Sequence, residues 1–542
     1  MNRSRPTTSS HTVDAHIARA AAVAPGFWHA WRWWLPPALV GLTLALLFID
    51  PFIGDWDGLD YTVLALGGRP SSMALGRTLF IFANHALYKF AHALFGLRPE
   101  HAYLLFKYAV VAQSPLAVLA CWRLAHDLTR SLPASTVAAL LIAISPVFVL
   151  YSGQVMTDVP SVWLLALALV IHLRGLRERR VWMVMAGAAL LGAGVNVRET
   201  VAFYAPWLVI APFVCGWKPR RREIALTALA CVVFLIFAFG IFAYLFMADA
   251  GGFRAAWDGW RESMRAESAR HPVTLRNAIP FMIYFFAVAP MVVVALPVAA
   301  FKEWRASGFS PLLALAVTGL WANLLLFFNY STTVNWRYFL TGLPALTPLV
   351  ADYFMREQTA RWGDVRRAFL SVVLGLAFVA VVFSIYMKPT SREHIEKRAL
   401  TKDYGARLAL LPRDAVVMAG GQTVAVTYWR GIGAGSWQTI GTGGGWPGAE
   451  LVSVIETHLK DGRRVFLDAD PRWWSPCGWQ EDETRALVNL ESHFRFRRIS
   501  DTIYEIRPRG DATATDAPDL ESLLPENRPA EVKKCAMLDK FS

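Results

Sequence analysis

Charge is what this sequence has least of. Only 18% of its 542 residues are Asp, Glu, Lys or Arg, against 55% hydrophobic, and the mean hydropathy is +0.36. A soluble chain carries about a quarter charged residues, so a soluble globular protein is excluded. Cysteine is scarce too: Cys121, Cys215, Cys231, Cys477 and Cys535 show no zinc or redox spacing. A Cys477–Cys535 disulfide stays open if both lie outside the cytoplasm. The glycine-rich GTGGGWPG lacks the Gly-Lys-Ser/Thr ending of a phosphate loop. The halves show no mutual repeat of the kind many transporters are built from. No short apolar core stands near the N-terminus, so no cleaved signal peptide is expected.

What the sequence has in quantity is long apolar runs, from Trp34 to Met387. They predict spans near 35–50, 103–122, 136–151, 159–174, 181–195, 200–216, 224–247, 279–300, 311–328, 338–354 and 369–387, or about eleven crossings. Residues 1–33 read as a basic cytoplasmic tail. With the N-terminus inside, alternation puts RGLRERR (174–180), KPRRR (218–222), Lys302, Arg305 and the 356–367 cluster on the inner side. The formal charge of +13 therefore orients spans, and nucleic acid is a poor partner. Residues 79–94 place Leu79, Phe82, Ala86, Leu87 and Phe90 on one helical face, with Asn84, His85, Tyr88, Lys89 and His92 on the other. This suits a helix lying in the membrane interface rather than crossing it.

The polar residues that remain converge on the outer side. DPFIGDWDGLDY (50–61) brings Asp50, Asp55, Asp57 and Asp60 directly behind the first span. Carboxylates crowded against a span are costly and mark a functional site by default. The catalytic outer loop runs over 50–102 and also supplies Arg69 and Arg77. Three further outer connections carry Asp158 (YSGQVMTDVPS), Arg198 and Glu199 (NVRET), and Asn335, Arg337 and Tyr338 (NYSTTVNWRYF). Singly, Asp158 reads as a helix N-terminal charge and Arg337 as an interface anchor. Jointly they describe one polar, membrane-embedded site.

The order of these features resembles the GT-C membrane glycosyltransferases. The likeness is to the bacterial branch similar to protein O-mannosyltransferases and the lipid A aminoarabinose transferase (family 39/83-like), and it covers roughly 30–390. It implies a polytopic α-helical membrane domain over 34–388. It also implies a catalytic Asp in the first outer loop, where Asp57-Gly58-Leu59-Asp60-Tyr61 stands, with Gly58 in place of the usual second acid. That departure leaves the choice between Asp55 and Asp57 open, and with it a divalent metal ion. Arg77 matches the basic residue opening the family's interfacial helix.

The residues support the same chemistry. Transfer of a sugar from a polyprenyl-phosphate donor to the hydroxyl of a lipid, glycan or protein acceptor needs a base and cations for the departing phosphate. Asp57 is the expected base, its pKa open to being raised by partial desolvation. Arg77, Arg198 and Arg337 are candidates for the phosphate, and Tyr338 for a hydrogen bond to it. Asp55-Trp56-Asp57 also reads as the DxD of nucleotide-sugar enzymes, on the wrong side of the membrane for their substrates. A lipid-linked-substrate flippase and a non-enzymatic scaffold are the rival classes.

Beyond the last span, residues 389–509 mix strand-like runs (AVVMAG, RVFLDAD, FRFRRI, TIYEIR) with helix-like runs (ELVSVIETHLKDG, DETRALVNLESHF). They predict a small extracytoplasmic α/β domain, followed by a disordered tail over 510–542.

Overall fold

The computed structural model describes residues 30–49, 56–69, 77–246, 252–270, 278–329 and 336–361, scattered positions between 375 and 401, then 402–418, 423–440, 448–471, 481–524 and 527. Asp55, Asn335, Cys477, Cys535 and most of the expected span 369–387 lie outside them.

The membrane domain is a bundle of helices in chain order. These are α1 (Trp31–Leu47), α2 (Trp56–Gly67), α3 (Thr78–Phe95), α4 (Ala102–Thr129), α5 (Leu132–Ala143), α6 (Pro146–Ser152), α7 (Asp158–Arg177) and α8 (Val181–Val195). They continue with α9 (Ala205–Val214), α10 (Arg221–Leu235), α11 (Ile241–Phe246), α12 (Gly252–Arg270), α13 (Ala278–Val288), α14 (Pro290–Ser307), α15 (Pro311–Asn329) and α16 (Leu343–Arg361). Among the described residues, Pro99–Thr129, Asp158–Arg177 and Arg221–Leu245 are long and apolar enough to cross a membrane alone. Two further candidates are broken: α5 and α6 meet at 64°, and Phe281–Val288 meets α14 at 97°. Helices stand at the remaining expected positions up to residue 354 but are too short or too polar to count as spans by themselves.

A break inside a membrane exposes backbone groups that lipid cannot satisfy, so each break needs a partner. The two broken spans supply one another: Ser145 Oγ, at the first break, donates to the carbonyl of Val288, at the second, over 2.8 Å. Between α10 and α11 the chain forms one π-helical turn, Ile236–Gly240, which leaves carbonyls unpaired. Asn196 Nδ2 donates to two of them, Ala238 O at 2.9 Å and Phe237 O at 3.2 Å. That bond anchors the 196–199 segment, which carries Arg198 and Glu199.

Helix α3 is present as expected, and its exposure is the reverse of a soluble amphipathic helix. Asn84 and Tyr88 pack inward, while Phe90, Leu94 and Phe95 point away from the protein. An outward apolar face of this kind suits lipid contact. Helix α12 was not foreseen; its many charges masked it, although Trp257 and Trp260 pair on it at 4.9 Å between ring centroids.

Charge segregates to the two ends of the bundle. At the arginine-rich end, buried Asp127 takes Arg123 at 3.0 Å and Arg174 at 2.9 Å, and Arg356 bridges Asp352 (2.6 Å) and Glu303 (3.2 Å). The starts of α2, α7 and α16, and the end of α8, lie at the other end, where the candidate site forms.

The second domain is built on a mixed sheet of β1 (Val416–Met418), β2 (Gln438–Ile440), β3 (Val465–Asp468), β4 (Phe494–Arg498) and β5 (Ile503–Pro508), in the order β2-β1-β3-β5-β4. β1 runs parallel to β2 and β3, and β5 antiparallel to β3 and β4. The four strand-like runs all become strands; β2 was too short to register. Helices α17 (Thr423–Gly431), α18 (Gly448–Lys460) and α19 (Glu481–Val488) complete it. The expected tail begins later than Gly510: Leu520 and Leu523 are buried in this domain's core, and Asp516 Oδ2 accepts from the Arg498 amide at 2.8 Å. Two leucines among polar residues were enough to hold it down.

Helix α17 packs on α2 of the membrane domain. Tyr428 meets Tyr103 edge to face at 6.5 Å, and a Cβ on Gly431 would come within 3.1 Å of Val63. The second domain therefore sits at the same end as the acidic helix α2.

Helices α7 and α8 cross where small residues let their backbones touch, the usual device for membrane helices. A Cβ on Gly187 would lie 2.6 Å from that of His172 and 2.7 Å from its backbone. Gly187→Leu should therefore destabilise the protein by roughly 1–3 kcal/mol or more, read as a lowered thermal midpoint in detergent; an unchanged midpoint would contradict this crossing.

Candidate active site

Helix α2 begins at Trp56, so Asp57 sits in its first turn, where the helix dipole favours negative charge. Residue 58 packs closely against its neighbours. A Cβ there would lie 3.3 Å from both Tyr103 Oη and the carbonyl of Val155. Helix α2 therefore lies close against α4 and the 153–157 turn. Gly153 does the same on the other side of that turn, admitting the end of α1, with Ile49 Cα 3.0 Å from where a Cβ would be.

Four segments meet around Asp57. Arg337 opens a 3-10 turn, Trp336–Gly342, ahead of α16, and its Nη2 lies 2.7 Å from Asp57 Oδ2. Arg198, at the end of the NVRET bend, lies 2.6 Å from Asp158 Oδ1 at the start of α7, and its Nη1 donates to Thr157 Oγ1 at 3.2 Å. Tyr338 stands between the two cations: the Arg198 guanidinium is 4.7 Å and that of Arg337 5.7 Å from its ring centre. Tyr151 offers Arg337 a second ring at 5.9 Å. Aromatic faces at such distances help hold a buried cation.

Arg77 completes the ring. Its backbone is left-handed (φ 78°) immediately before α3, a conformation uncommon outside glycine and often retained at functional sites. A backbone bond from the Leu79 amide to the Asn196 carbonyl (2.9 Å) fastens it to the NVRET bend. Its guanidinium is 4.0 Å from Glu199 and 5.7 Å from the Tyr61 ring centre.

The structure thus brings together Asp57, Arg77, Asp158, Arg198, Glu199, Arg337 and Tyr338. Asp60 is half-buried on the same helix as Asp57; Asp55 lies outside the described residues. The direction of the Asp57 pKa, which the sequence left open, is set by its neighbours. Burial does push it up, but Arg337, Arg77 and Arg198 together outweigh that and hold it below its usual value. Among the described residues no group of three His, Cys, Asp or Glu side chains could hold a metal ion; the acids here are dispersed, three of them each against an arginine. One cation was overlooked in the sequence. Lys107 is fully buried on α4, with Nζ 4.8 Å from the Tyr103 ring centre. A lysine within an apolar run was the available signal.

Comparison with known proteins decides the fold. Residues 83–245 match the family model for dolichyl-phosphate-mannose-protein mannosyltransferase. ArnT from Cupriavidus metallidurans, solved bound to undecaprenyl phosphate, superposes with a TM-score of 0.59 at 13% identity, over 90% of this chain and 100% of that one. The two chains share a fold. The archaeal oligosaccharyltransferase AglB from Archaeoglobus fulgidus, solved with an inhibitory peptide and a dolichol-phosphate, aligns at a TM-score of 0.50 and 13% identity, covering 92% of this chain and 77% of that one. None of the curated proteins matches in sequence. The family-model match starts within α3 and ends within α11, so it spans Asp158, Arg198 and Glu199 but neither Asp57 nor Arg337. Those two join the site through the fold.

The fit around Gly58 can be tested directly. Gly58→Asp, the acid the family pattern would lead one to restore, should lower the thermal midpoint in detergent by several degrees. Gly58→Ala should do less, because its better helix propensity offsets up to about 1 kcal/mol of the crowding. Equal stability of the Asp variant and wild type would contradict the close approach.

Proposed function

We propose that this protein moves a sugar from a polyprenyl-phosphate donor to the hydroxyl of a lipid, glycan or protein acceptor, with Asp57 as the base. One observation carries the reading: two buried guanidiniums flank the Tyr338 ring beside a carboxylate that remains partly exposed. Arg198 Nε and Nη2 and Arg337 Nε are buried with no hydrogen-bond partner among the described residues. Buried charged donors left unmade are costly, and a phosphate would satisfy them bidentately. That ArnT and AglB were solved with polyprenyl-type phosphates supports the same donor class.

In the transfer step, the acceptor oxygen bonds to the anomeric carbon as the bond from that carbon to the phosphate oxygen breaks. The electron pair leaves with the polyprenyl phosphate, whose charge the arginines compensate. The hydroxyl proton passes to the Asp57 carboxylate. Asp57→Asn keeps the shape and removes the base, so turnover should fall roughly 10²–10⁴-fold while the protein still folds. Asp60→Asn should be milder. Because the arginines hold the Asp57 carboxyl low, the base form persists toward acid. The acid limb of kcat/KM, which reports the free enzyme, should therefore fall below the usual carboxylate range, and Arg337→Gln should move it up. Greater loss in Asp55→Asn than in Asp57→Asn would shift the base two residues back, and near-wild-type turnover in both would reject the acidic helix as the catalytic centre.

The reading also includes orientation in the cell inner (plasma) membrane. With eleven crossings and the arginine-rich end inside, the site and the second domain face the extracytoplasmic side. The contact of α17 with α2 supports placing both on one side. A reporter that works only outside the cytoplasm, fused after Asp403, should be active; activity of a cytoplasm-only reporter there would overturn this topology.

A further inference from the structure

Every guanidinium at the site already faces a carboxylate: Arg77 with Glu199, Arg198 with Asp158, Arg337 with Asp57. An anionic ligand entering among them must share or displace one of those acids. The three pairs differ in how readily they could part. Arg198 and Asp158 are 2% and 0% exposed, and separating a pair so buried strands both charges away from water. Arg77 and Glu199 stand 4.0 Å apart, at the limit of contact. Arg337 is 6% exposed, but its partner Asp57 is 40% exposed, so water can take over the carboxylate when the cation is lost.

Arg337 itself is fixed. The rings of Tyr151 and Tyr338 flank it, and its Nη1 rests against the Met156 sulfur at 4.0 Å. Its Nη2 is committed to Asp57, while Nε is buried without a hydrogen-bond partner among the described residues. The mobile member of the pair is the carboxylate, on a side chain in the first turn of α2.

Resting on the polyprenyl-phosphate reading above, we propose that the donor phosphate and Asp57 compete for Arg337. Donor binding then transfers the guanidinium from the carboxylate to the phosphate. One guanidinium serves two anions in turn. While it holds Asp57, the carboxylate is neutralised and a poor proton acceptor. Once it turns to the phosphate, it stabilises the leaving group and releases Asp57 to the acceptor hydroxyl. The base is thus activated by the arrival of the donor.

Linkage makes the competition measurable without turnover, because two ligands of one site lower each other's affinity by the same factor. Removing the charge of Asp57 should strengthen donor-phosphate binding, the opposite of what loss of a binding residue does. The test measures undecaprenyl phosphate binding to the full-length protein in detergent for wild type, Asp57→Asn, Arg337→Gln and the double variant. Asp57→Asn should bind roughly 5- to 100-fold tighter than wild type, within the ordinary range of coupling. Arg337→Gln should bind more weakly, and the double variant no more tightly than Arg337→Gln. Asp57→Ser replaces Asp57→Asn if the latter does not fold. Equal or weaker binding by the Asp57 variant overturns the competition, as does the same gain in the Arg337→Gln background, which would reflect general charge rather than exchange. Absence of saturable undecaprenyl phosphate binding to wild type refutes the donor class itself, and this inference with it.

Discussion

A charge buried at membrane depth must be matched by another, and the geometry of this site follows from that constraint. Three arginines and their three carboxylates come from five separate segments, so the full set forms only when α2, α3, α7, the NVRET bend and the 336–342 turn are all in place. The surrounding devices serve that convergence. Gly58 and Gly153 let α2 and α1 close on the 153–157 turn. Asn196 holds the NVRET bend by binding carbonyls released at the π-helical turn. The left-handed backbone at Arg77 turns its guanidinium inward where an ordinary helix start would not.

The same constraint explains why broken helices are tolerated. A kinked span in water would be patched by solvent. Here the bond between Ser145 and Val288 ties two breaks together, and the cost of each becomes the means of positioning the other. The bends in turn place α6 and α13 beside the 3-10 turn that carries Arg337, with Phe281 and Phe285 against Phe339 at 5.0 and 5.4 Å.

Much of this was legible in the sequence because membrane chains separate their signals. Apolar runs mark helices, and a polar residue beside one has few innocent explanations. That is why Asp57, Asp158, Arg198 and Arg337 could be gathered onto one face before any contact was known. What could not be read was pairing. Nothing in the spacing of Asp57 and Arg337, almost three hundred positions apart, joins them, and the electrostatic sign at Asp57 was therefore left open. Lys107 escaped because a single lysine scarcely dents a hydrophobic run. Helix α17 escaped for a different reason: TVAVTYW alternates like a strand, and only its docking on α2 explains its being helical.

That docking also has a consequence in time. Helix α2 leaves the ribosome early, and α17 only after the described helices of the membrane domain. At ~5–20 residues per second, the stretch between them takes on the order of half a minute to synthesise. Throughout that interval the acidic helix is without the surface that seats it, and Arg337 arrives only shortly before α17. A nascent or truncated chain therefore carries its acids without the finished enclosure. Folding of the second domain, and not insertion of the membrane helices alone, completes the packing of α2.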